Sequence, residues 1–531
     1  MRPDLSAIPA LDVNLATRAA VGDALTRTAR MFGDRTAIVD AGRDLSYREL
    51  DEVSSALARA LLGTGVARQQ PVAMLMANSW QFVATYFACA KSALVALPVN
   101  IALAPDDIAW ILRDAGATVV VADAAALPLL TDFLADAPEV TLVVVGAHGA
   151  DASGGRTVVS WDDFTAEHAG GPVEVIVEDR DTVQCLYTSG TTSRPKGVLV
   201  SHVSVLIGGM TNALQIGHSW GADPSTLVNV LPLFHTTALN TLVLPVLFTG
   251  GTVVLFARFD PAAMLTAIED HSATHLMLLP IMYRALLAAR GAGLPSVRRA
   301  VYAMAPMPED VLKLVDELFP NAAVILGSGQ TEVVPATVLQ WPEHQHTKAN
   351  SWGPAVPTVE TGIMDGSGAL LPRGESGEIV YRGPHVASGY WNNPEANRVS
   401  FAHGWFHSGD IGHLDDEQVL WFTDRLKDII KSGGENVSSV DVERVVTAAP
   451  GVAECSIVGV PDDRWGEAVC AVVVPADPDS AGDDFPARVI AHAKAHLAGF
   501  QVPKRVVVVT ELPKTATGKT RKHALRAQLT E

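Results

Sequence analysis

Short apolar runs alternate with longer amphipathic segments through most of the chain. The runs at 118–121, 141–145 and 252–255 are rich in valine and other aliphatic residues, whereas 47–62 and 261–272 repeat apolar residues at helical spacing. Strands that are apolar along their whole length are typical of parallel sheets covered by helices on both faces. The pattern therefore predicts an α/β fold with largely parallel, buried strands.

A change in composition after the strand pattern at 419–422 predicts a domain boundary. A basic, glycine-containing stretch follows, and then strand patterns at 453–460 and 468–474 and one helical pattern. A chain of 531 residues also exceeds the size of a single hydrophobic core. We predict a large N-terminal α/β domain over residues 1–424 and a small C-terminal α+β domain over residues 425–531.

Charge and cysteine usage narrow the function classes. The formal net charge of −19 argues against nucleic acid or an anionic membrane as a partner, so a nucleotide would need a local cluster of basic residues. The most apolar run, at 242–256, is too short to span a bilayer, and the N-terminus lacks the apolar core of a secretory signal. Because the four cysteines show no paired spacing, we expect free thiols and a cytoplasmic protein.

A polar turn at 188–197 carries a dense set of groups that suit a phosphate. It follows a strand pattern at 182–187 and precedes a stretch that leads into a helical pattern. Its glycines let backbone N–H groups approach an anion, its Thr and Ser hydroxyls add donors, and Lys196 adds a positive charge. A polar surface turn is the plainer interpretation, but the density of donors favours phosphate binding at a strand end. Neither this turn nor the one at 518–520 has the spacing of a P-loop.

Six further motifs occur in order along the chain, and together with the polar turn they resemble the signatures of the adenylate-forming superfamily. That superfamily includes acyl-CoA synthetases, carrier-protein-loading adenylation domains and beetle luciferases. The six motifs are Leu-Pro-Leu-Phe-His at 231–235, Gly-Ser-Gly-Gln-Thr-Glu at 327–332, Gly-Tyr-Trp at 389–391, Trp-Phe-His-Ser-Gly-Asp at 405–410, the basic and glycine-containing segment 424–436, and Pro-Lys-Thr-Ala-Thr-Gly-Lys at 513–519.

The resemblance implies a reaction and a moving domain. Superfamily members use ATP to activate a carboxylic acid as an acyl-adenylate and release pyrophosphate, and their C-terminal domain swings between two half-reactions. Lys427 matches the residue about which that domain turns. A solvated charge in a linker is the alternative interpretation of Lys427.

The resemblance also implies a nucleotide site with one magnesium ligand. Thr331 matches a contact to the α-phosphate, and Glu332 matches the ligand of Mg²⁺, a cation that prefers carboxylate oxygens beside phosphates. Asp410 matches the carboxylate that accepts both ribose hydroxyls, and Arg425 matches a second nucleotide contact; a structural ion pair is the alternative for these two. The other implied contacts to ATP or AMP are Thr188, Ser189, Gly190, Thr191, Thr192, Lys196 and Ser328.

Lys519 matches the family lysine that bridges the acyl carboxylate and the phosphate during adenylation. Two anions meet in this step, and a positive charge between them stabilises the transition state. A solvated member of the C-terminal basic run is the alternative interpretation, and the motif around Lys519 favours catalysis.

An acyl pocket and a thiol channel follow from the same resemblance. His235 stands where amino-acid-loading domains carry an aspartate, so we expect an acid without an α-amine. His235 is also the implied gate of the pocket, with a satisfied core histidine as the alternative. The other implied pocket residues, which suit a hydrophobic acid, are Thr237, Asn240, Ala303, Met304 and Gly327. Lys431, Gly433 and Gly434 are implied to line the coenzyme A channel, where bare backbone is needed; a plain turn is the alternative.

Two positions depart from the family pattern at the adenine site. Ser328 replaces the aromatic residue that stacks on adenine in most relatives, and Met304 is bulkier than the residue usual there. The adenine contacts are therefore expected to differ from those of most relatives.

We interpret the chain as an ATP-dependent acid–CoA ligase that acts on a hydrophobic fatty or aryl acid, with ATP, Mg²⁺ and coenzyme A. A stand-alone enzyme that loads an acyl carrier protein and a nucleotide-binding regulatory protein are the alternatives. Whether two copies form a homodimer stays open.

Two local motifs favour plainer interpretations. Residues 217–221 fit the Gly-x-Ser-x-Gly elbow of α/β-hydrolases, but a helical pattern precedes them where that elbow needs a strand. His344 and His346 have chelating spacing, but the stretch is polar and no third ligand is nearby, so we expect a solvated loop.

Overall fold

The computed structural model describes residues 4–146, 157–188, 194–289, 293–303, 307, 309–334, 336–477, 482–514 and 520–530. The chain divides into two compact units. The first contains Met1–Thr188, Pro195–Thr361 and Tyr381–Phe406, and the second contains Gly362–Val380 and His407–Glu531. The predicted α/β fold with a large N-terminal and a smaller C-terminal domain is confirmed, while the boundary at residues 424 and 425 stays a prediction.

The strands, numbered in chain order, are β1 (Thr36–Asp40), β2 (Arg43–Ser46), β3 (Pro71–Leu75), β4 (Val95–Pro98), β5 (Val119–Asp123), β6 (Thr141–Val145), β7 (Val158–Ser160), β8 (Thr182–Thr188), β9 (Lys196–Ser201), β10 (Thr226–Asn229), β11 (Thr252–Leu255), β12 (His275–Leu278), β13 (Arg299–Tyr302), β14 (Ala323–Ser328), β15 (Val338–Gln340), β16 (Gly353–Pro354), β17 (Glu360–Met364), β18 (Gly377–Arg382), β19 (Gly389–Tyr390), β20 (Phe406–Leu414), β21 (Val419–Arg425), β22 (Ile430–Ser432), β23 (Glu435–Val437), β24 (Val452–Asp462), β25 (Gly466–Pro475) and β26 (Arg505–Val508).

The α-helices are α1 (Ala10–Thr17), α2 (Val21–Phe32), α3 (Tyr47–Gly63), α4 (Trp80–Lys91), α5 (Pro105–Ala115), α6 (Thr131–Asp136), α7 (Trp161–Ala166), α8 (His202–Ile216), α9 (Leu244–Thr249), α10 (Pro261–Asp270), α11 (Pro280–Ala289), α12 (Glu309–Leu318), α13 (His344–Thr347), α14 (Pro394–Ser400), α15 (Ser439–Thr447), α16 (Phe485–His496) and α17 (Lys522–Thr530). A π-helix spans Thr237–Val243, and 3-10 helices span Ala124–Leu130 and Ala402–Gly404. None of the helices within the described ranges is long and apolar enough to cross a membrane.

Two large sheets form the first unit. One has the order β15-β14-β13-β12-β10-β11-β1-β2, and the other has the order β19-β9-β8-β4-β3-β5-β6-β7. Most neighbouring strands inside these sheets are parallel, including β3 with β4 and β5, and β12 with β13. The predicted parallel, buried strands are therefore confirmed, because apolar runs such as Val119–Asp123 are covered on both faces.

Local signals explain where the helices begin and end. The long helix α3 starts at a capping box in which Ser46 and Glu49 satisfy each other's backbone N–H groups. Helix α5 starts with Pro105 and ends at Gly116, whose φ of 67° is a left-handed conformation that glycine adopts without strain. These capping residues stabilise the ends of two helices that cover the sheets.

The second unit has its own core. Strands β23, β22, β25 and β24 form a sheet in that order, with β26 beside β25. The apolar residues of β24 and β25, predicted from the sequence, pack with α15 and α16 around Val442, Ile457 and Phe485. Strands β18, β20 and β21 belong to a further sheet, in which β20 and β21 pair antiparallel and place Asp410 opposite Arg425.

The polar turn at 188–197 differs from expectation in one respect. The residues after it form strand β9, which pairs antiparallel with β8, and the helix begins only at His202. The alternation of buried Val198 and Val200 favours the strand, and Ser201 caps the helix by accepting a bond from the Ser204 N–H. Strands β8 and β9 therefore form an antiparallel hairpin on either side of residues 189–195.

Candidate active site

The hairpin of β8 and β9 anchors the predicted phosphate turn. Thr188 is paired with Lys196 at the end next to the connecting residues, and both are half-buried. The predicted contacts Ser189, Gly190, Thr191 and Thr192 lie outside the described residues. A Cβ at Gly197 would lie 2.9 Å from Cys185 Sγ, so the close approach of the two strands requires glycine there.

A tyrosine near the end of β8, which sequence reasoning missed, ties this hairpin to helix α5. Tyr187 donates a hydrogen bond of 2.5 Å to Asp114 Oδ2, and its ring meets Trp110 edge-on. Burial is the main cause that raises the pKa of Tyr187, and its bond to Asp114 adds to the shift. The signal for this contact is weak because 73 residues separate the partners.

Glu332 and Lys196 both contact Tyr390. The Tyr390 hydroxyl donates to Glu332 Oε1 at 2.9 Å, and Lys196 Nζ lies 5.2 Å from the centre of the Tyr390 ring. Thr331 and Glu332 occupy a turn that follows β14 and are half-buried. The structure therefore brings together two of the predicted site residues, one implied for phosphate and one for Mg²⁺. The single carboxylate of Glu332 fits Mg²⁺, which keeps waters and substrate phosphates among its ligands.

The ends of β13 and β14 place three of the predicted pocket and adenine residues. Gly327 and Ser328 are the last residues of β14, and Ala303 directly follows β13, which pairs in parallel with β14. Ala303 is buried, and Met304 lies outside the described residues. Parallel strands end at one edge of a sheet, so Ala303 and Gly327 lie at the same edge.

The π-helix carries the other predicted pocket residues. His235 precedes it, and His235 Nδ1 accepts a bond of 3.2 Å from the Thr237 N–H, so the ring proton sits on Nε2 in the neutral form. Asn240 is only 1% exposed, and its side-chain amide exchanges hydrogen bonds of 3.0 Å with Gln184. Tyr86 donates to the same Gln184 at 2.8 Å. Asn240 thus belongs to a buried polar network that sequence reasoning did not find.

The second unit holds the predicted ribose contact. Arg425 Nε lies 3.0 Å from Asp410 Oδ1, and the Asp410 side chain is 2% exposed. Glu378, another residue that sequence reasoning missed, accepts bonds from the Gly409 N–H at 3.0 Å and from His407 Nδ1 at 2.8 Å. Its carboxylate therefore orients the part of β20 that carries Asp410.

The predicted hinge and thiol-channel residues follow in the same unit. The pKa of Lys427 is lowered, chiefly by burial and then by the positive charge of Arg425. Gly433 and Gly434 have φ of 64° and 88°, which are left-handed conformations, and a Cβ at Gly434 would meet open space within this unit. Lys431 is exposed, and its N–H donates to Glu467 at 2.7 Å. Lys519 lies outside the described residues.

The expectations for the two remaining motifs, at Ser219 and His344, have different outcomes. Ser219 is exposed in a loop after α8, where its hydroxyl donates to the Asp223 carbonyl at 2.7 Å, as the rejection of a hydrolase elbow predicted. The predicted solvated loop at His344 is wrong: His344 is buried and stacks on Trp341, with ring centres 5.4 Å apart. Aromatic stacking offsets the loss of solvent around the imidazole.

These features define a class of protein. A parallel α/β unit carries a hairpin with Lys196 and a carboxylate, Glu332, that both contact Tyr390. A smaller unit carries a buried carboxylate paired with arginine. Each feature agrees with the predicted class, an enzyme that binds ATP and transfers its adenylate group to a carboxylic acid.

Comparison with known proteins identifies the family. Residues 25–391 match the model of the AMP-binding enzymes, and residues 441–519 match that of the AMP-binding enzyme C-terminal domain. A feruloyl-CoA synthase of an Amycolatopsis species is 36% identical over 503 residues, covering 94% of this chain and 97% of that protein. The long-chain-fatty-acid–CoA ligase FadD13 of Mycobacterium tuberculosis is 32% identical over 514 residues, covering 96% and 98%. The crystal structure of ATP-bound MatB from Rhodopseudomonas palustris superposes with a TM-score of 0.85 at 28% identity, covering 97% and 99%.

The chain belongs to the AMP-binding enzymes, in the acyl-CoA synthetase branch of the adenylate-forming superfamily. It is an AMP-forming acid–CoA ligase that works through an acyl-adenylate and uses ATP, Mg²⁺ and coenzyme A. The prediction of this activity is confirmed, and the carrier-protein alternative is not favoured.

Proposed function

We propose that the enzyme activates a hydrophobic fatty or aryl acid and that the residues implied by the family motifs carry out its two half-reactions. In the first, a carboxylate oxygen of the acid attacks the α-phosphorus of ATP, and the bond to pyrophosphate breaks. In the second, the thiolate of coenzyme A attacks the acyl carbon, and AMP leaves.

The observation that carries the site assignment is the shared contact of Lys196 and Glu332 with Tyr390. Lys196, next to the residues that connect the two strands, suits the phosphates of ATP. Glu332, which contacts the same tyrosine, suits their cation. Glu332 would hold Mg²⁺, which would neutralise negative charge on the phosphates of ATP. In this proposal Thr331 donates to the α-phosphate. The rest of the phosphate turn is formed by Thr188, Ser189, Gly190, Thr191 and Thr192.

The second unit supplies the other nucleotide and thiol contacts in this proposal. Buried Asp410 accepts the ribose hydroxyls, and Arg425, which pairs with that carboxylate, also reaches the nucleotide. Lys519 bridges the carboxylate and the phosphate during adenylation. After the domain defined by residues 425–531 turns about Lys427, Lys431, Gly433 and Gly434 line the coenzyme A channel.

In this proposal the acyl pocket is lined by His235, Thr237, Ala303, Met304 and Gly327. Asn240 supports the pocket wall through its hydrogen bonds to Gln184. His235 offers no fixed anion, which supports an acid without an α-amine. Ser328 in place of an aromatic residue supports an adenine site without the usual stacking platform. The four free cysteines support a reducing compartment, and we propose the cytoplasm. A homodimer is the oligomeric state to test first.

A panel of carboxylic acids tests the proposal. Pyrophosphate release is measured for cinnamic-type, benzoic-type, medium-chain and long-chain acids and for α-amino acids, each with and without coenzyme A. We expect hydrophobic acids to be used, amino acids to be ignored, and thioester to form with free coenzyme A. Preference for an amino acid, or indifference to free coenzyme A while a phosphopantetheinylated carrier protein is acylated, would overturn it.

A further inference from the structure

A short segment of the first unit crosses both the phosphate hairpin and the Glu332 turn; we call residues 387–391 the strap. The Ala387 N–H donates to the Glu332 carbonyl at 2.7 Å, and the Trp391 N–H donates to the Gly197 carbonyl at 2.7 Å. Between them, β19 pairs with β9, so that Tyr390 lies opposite Val198. The backbone of Tyr390 is therefore tied to the strand that begins at Lys196.

Further contacts hold the strap in place without any ligand. The side chain of Asn397 accepts from the Tyr390 N–H at 2.7 Å and donates to the Tyr390 carbonyl at 2.9 Å. A Cβ at Gly389, where φ is 141°, would lie 3.0 Å from that Asn397 oxygen, so the clamp requires glycine. The Trp391 indole donates to the Asp114 carbonyl at 2.9 Å. This much bonding around three residues pre-organises the tyrosine side chain.

The Tyr390 side chain then points a donor at Glu332. Its residue is 8% exposed, and its hydroxyl reaches Glu332 Oε1 at 2.9 Å. The hydroxyl is the donor in this bond, and the carboxylate oxygen accepts. Among the described residues, Glu332 Oε2 has no hydrogen-bond partner, which leaves that oxygen for a ligand.

The same ring also borders Lys196. The ammonium lies 5.2 Å from the ring centre, a distance at which a cation is attracted to an aromatic face. A phenylalanine would fill the same space and border the same lysine. The hydroxyl therefore serves the carboxylate and not the packing.

We propose that Tyr390 is a positioning residue for the magnesium ligand: its hydroxyl fixes one oxygen of Glu332, so that the other is presented to the cation that accompanies ATP. This inference rests on the proposed role of Glu332. Outer-sphere hydrogen bonds of this kind commonly change metal affinity by about 10- to 100-fold.

The test is Tyr390→Phe, with binding measured in the absence of turnover. Mn²⁺ replaces Mg²⁺ as the probe and is titrated by electron paramagnetic resonance into enzyme saturated with α,β-methylene-ATP, without acid or coenzyme A. We expect Mn²⁺ to bind about tenfold more weakly to Tyr390→Phe. Binding of metal-free nucleotide in EDTA should stay within about twofold, since the hydroxyl acts through the cation and not on the phosphates.

Two comparisons separate positioning from general damage. Tyr47→Phe removes a buried hydroxyl that donates to the Gly251 carbonyl at 2.7 Å, and it should leave Mn²⁺ affinity unchanged. In a Glu332→Gln background, Tyr390→Phe should cause no further loss, because both changes act on one ligand. If Tyr390→Phe proves unstable, Asn397→Ala keeps the hydroxyl but frees its backbone, and it should weaken Mn²⁺ binding by about threefold.

The outcomes are distinct. Unchanged Mn²⁺ affinity in a folded Tyr390→Phe enzyme, or an additive loss in the double variant, overturns the positioning role. If the unaltered enzyme fails to release pyrophosphate with any acid of the panel, the proposed substrate class fails, while the Mn²⁺ titration still decides the role of Tyr390.

Discussion

Asp410 and Arg425 face each other across an antiparallel strand pair, and the arginine Nε lies 3.0 Å from the carboxylate Oδ1. The Asp410 side chain is buried, with 2% of it exposed, whereas the Arg425 side chain is 43% exposed to solvent. A buried carboxylate is costly without a partner. The arginine therefore stabilises the second unit, and in the proposed nucleotide site it also orients the carboxylate.

Arg425→Gln should weaken both functions of this pair. We expect ATP to bind about tenfold more weakly, since a hydrogen bond to a charged group is lost. The free energy of unfolding should fall by about 1 kcal/mol, a value reduced from that of a buried pair because Arg425 is partly exposed. Equilibrium ATP binding and urea unfolding measure the two effects. Arg398→Gln, which breaks the exposed pair with Glu395, is the control and should change neither.

Lys519→Ala should separate the half-reactions. Loss of one pre-organised charge at the transition state lowers rates by about 10²- to 10³-fold, so acid-dependent pyrophosphate release should fall by that factor. Thioester formation from a supplied acyl-adenylate should remain largely intact. Single-turnover assays of each step provide the measurement, and an equal loss in both would contradict a lysine confined to adenylation.

Gly434→Leu should affect the opposite half-reaction. A side chain at Gly434 meets open space within its unit, whereas one at Gly433 would come within 2.8 Å of the Trp465 ring. Gly434 is thus the cleaner probe: we expect normal pyrophosphate release and a loss of coenzyme A turnover. Gly374→Leu is a control matched for strain, since its φ is 83° and a Cβ there also meets open space. Normal thioester formation by the Gly434 variant would remove this loop from the thiol channel.

Lys427→Pro should trap the enzyme in one conformation if the chain turns at this position. Proline fixes φ near −65° and so removes the rotation that a hinge needs. We expect one half-reaction to persist and the other to fall by at least about tenfold. Lys427→Ala is the control that keeps the rotation, and full activity of the proline variant in both steps would exclude the hinge.

Acid should destabilise the first unit through His202. This residue is fully buried, its Nδ1 accepts from the Val21 N–H at 3.1 Å, and burial lowers its pKa to about 3. Below about pH 6.5, the unfolded chain therefore binds a proton at this histidine that the folded protein does not bind. The contribution of neutral His202 to the free energy of unfolding is present above that pH and is lost as the pH falls towards 3.

The expected slope is about 1.4 kcal/mol per pH unit from this one group. His202→Asn keeps an acceptor for Val21 but cannot be protonated, and its free energy of unfolding should fall less steeply between pH 6 and 4, as denaturant titrations would show. The exposed His271→Asn is the control. An unchanged slope in His202→Asn would assign the acid sensitivity to other groups.

Sequence patterns predicted those elements whose signals are local. The apolar runs that became β5, β6 and β11 are recognisable because buried parallel strands need continuous apolar residues, and α3 carries both its cap and its periodicity within one segment. The motif residues of the first unit also fall beside strand ends, where ligands bind in α/β sheets. Their roles remain predictions.

Contacts between distant parts of the chain left no such signal. Tyr390 and Glu332 are 58 residues apart, and the clamp of Asn397 depends on a backbone turn that composition does not reveal. The strand after the polar turn was also missed, because Val198 and Val200 fit either a strand or the start of an apolar helix until pairing with β8 decides. His344 looked polar by its neighbours and is buried through stacking on Trp341.

The π-helix at Thr237–Val243 has an evolutionary consequence. A π turn arises from one extra residue in an α-helix, and removal of that residue restores the tighter spiral. Such a deletion would rotate every later side chain by about 100° and withdraw Asn240 from Gln184, while the sheets that surround this segment need not change. If the acyl pocket is as proposed, single-codon insertions and deletions in this segment would change which acid is accepted and leave the sheets unaltered.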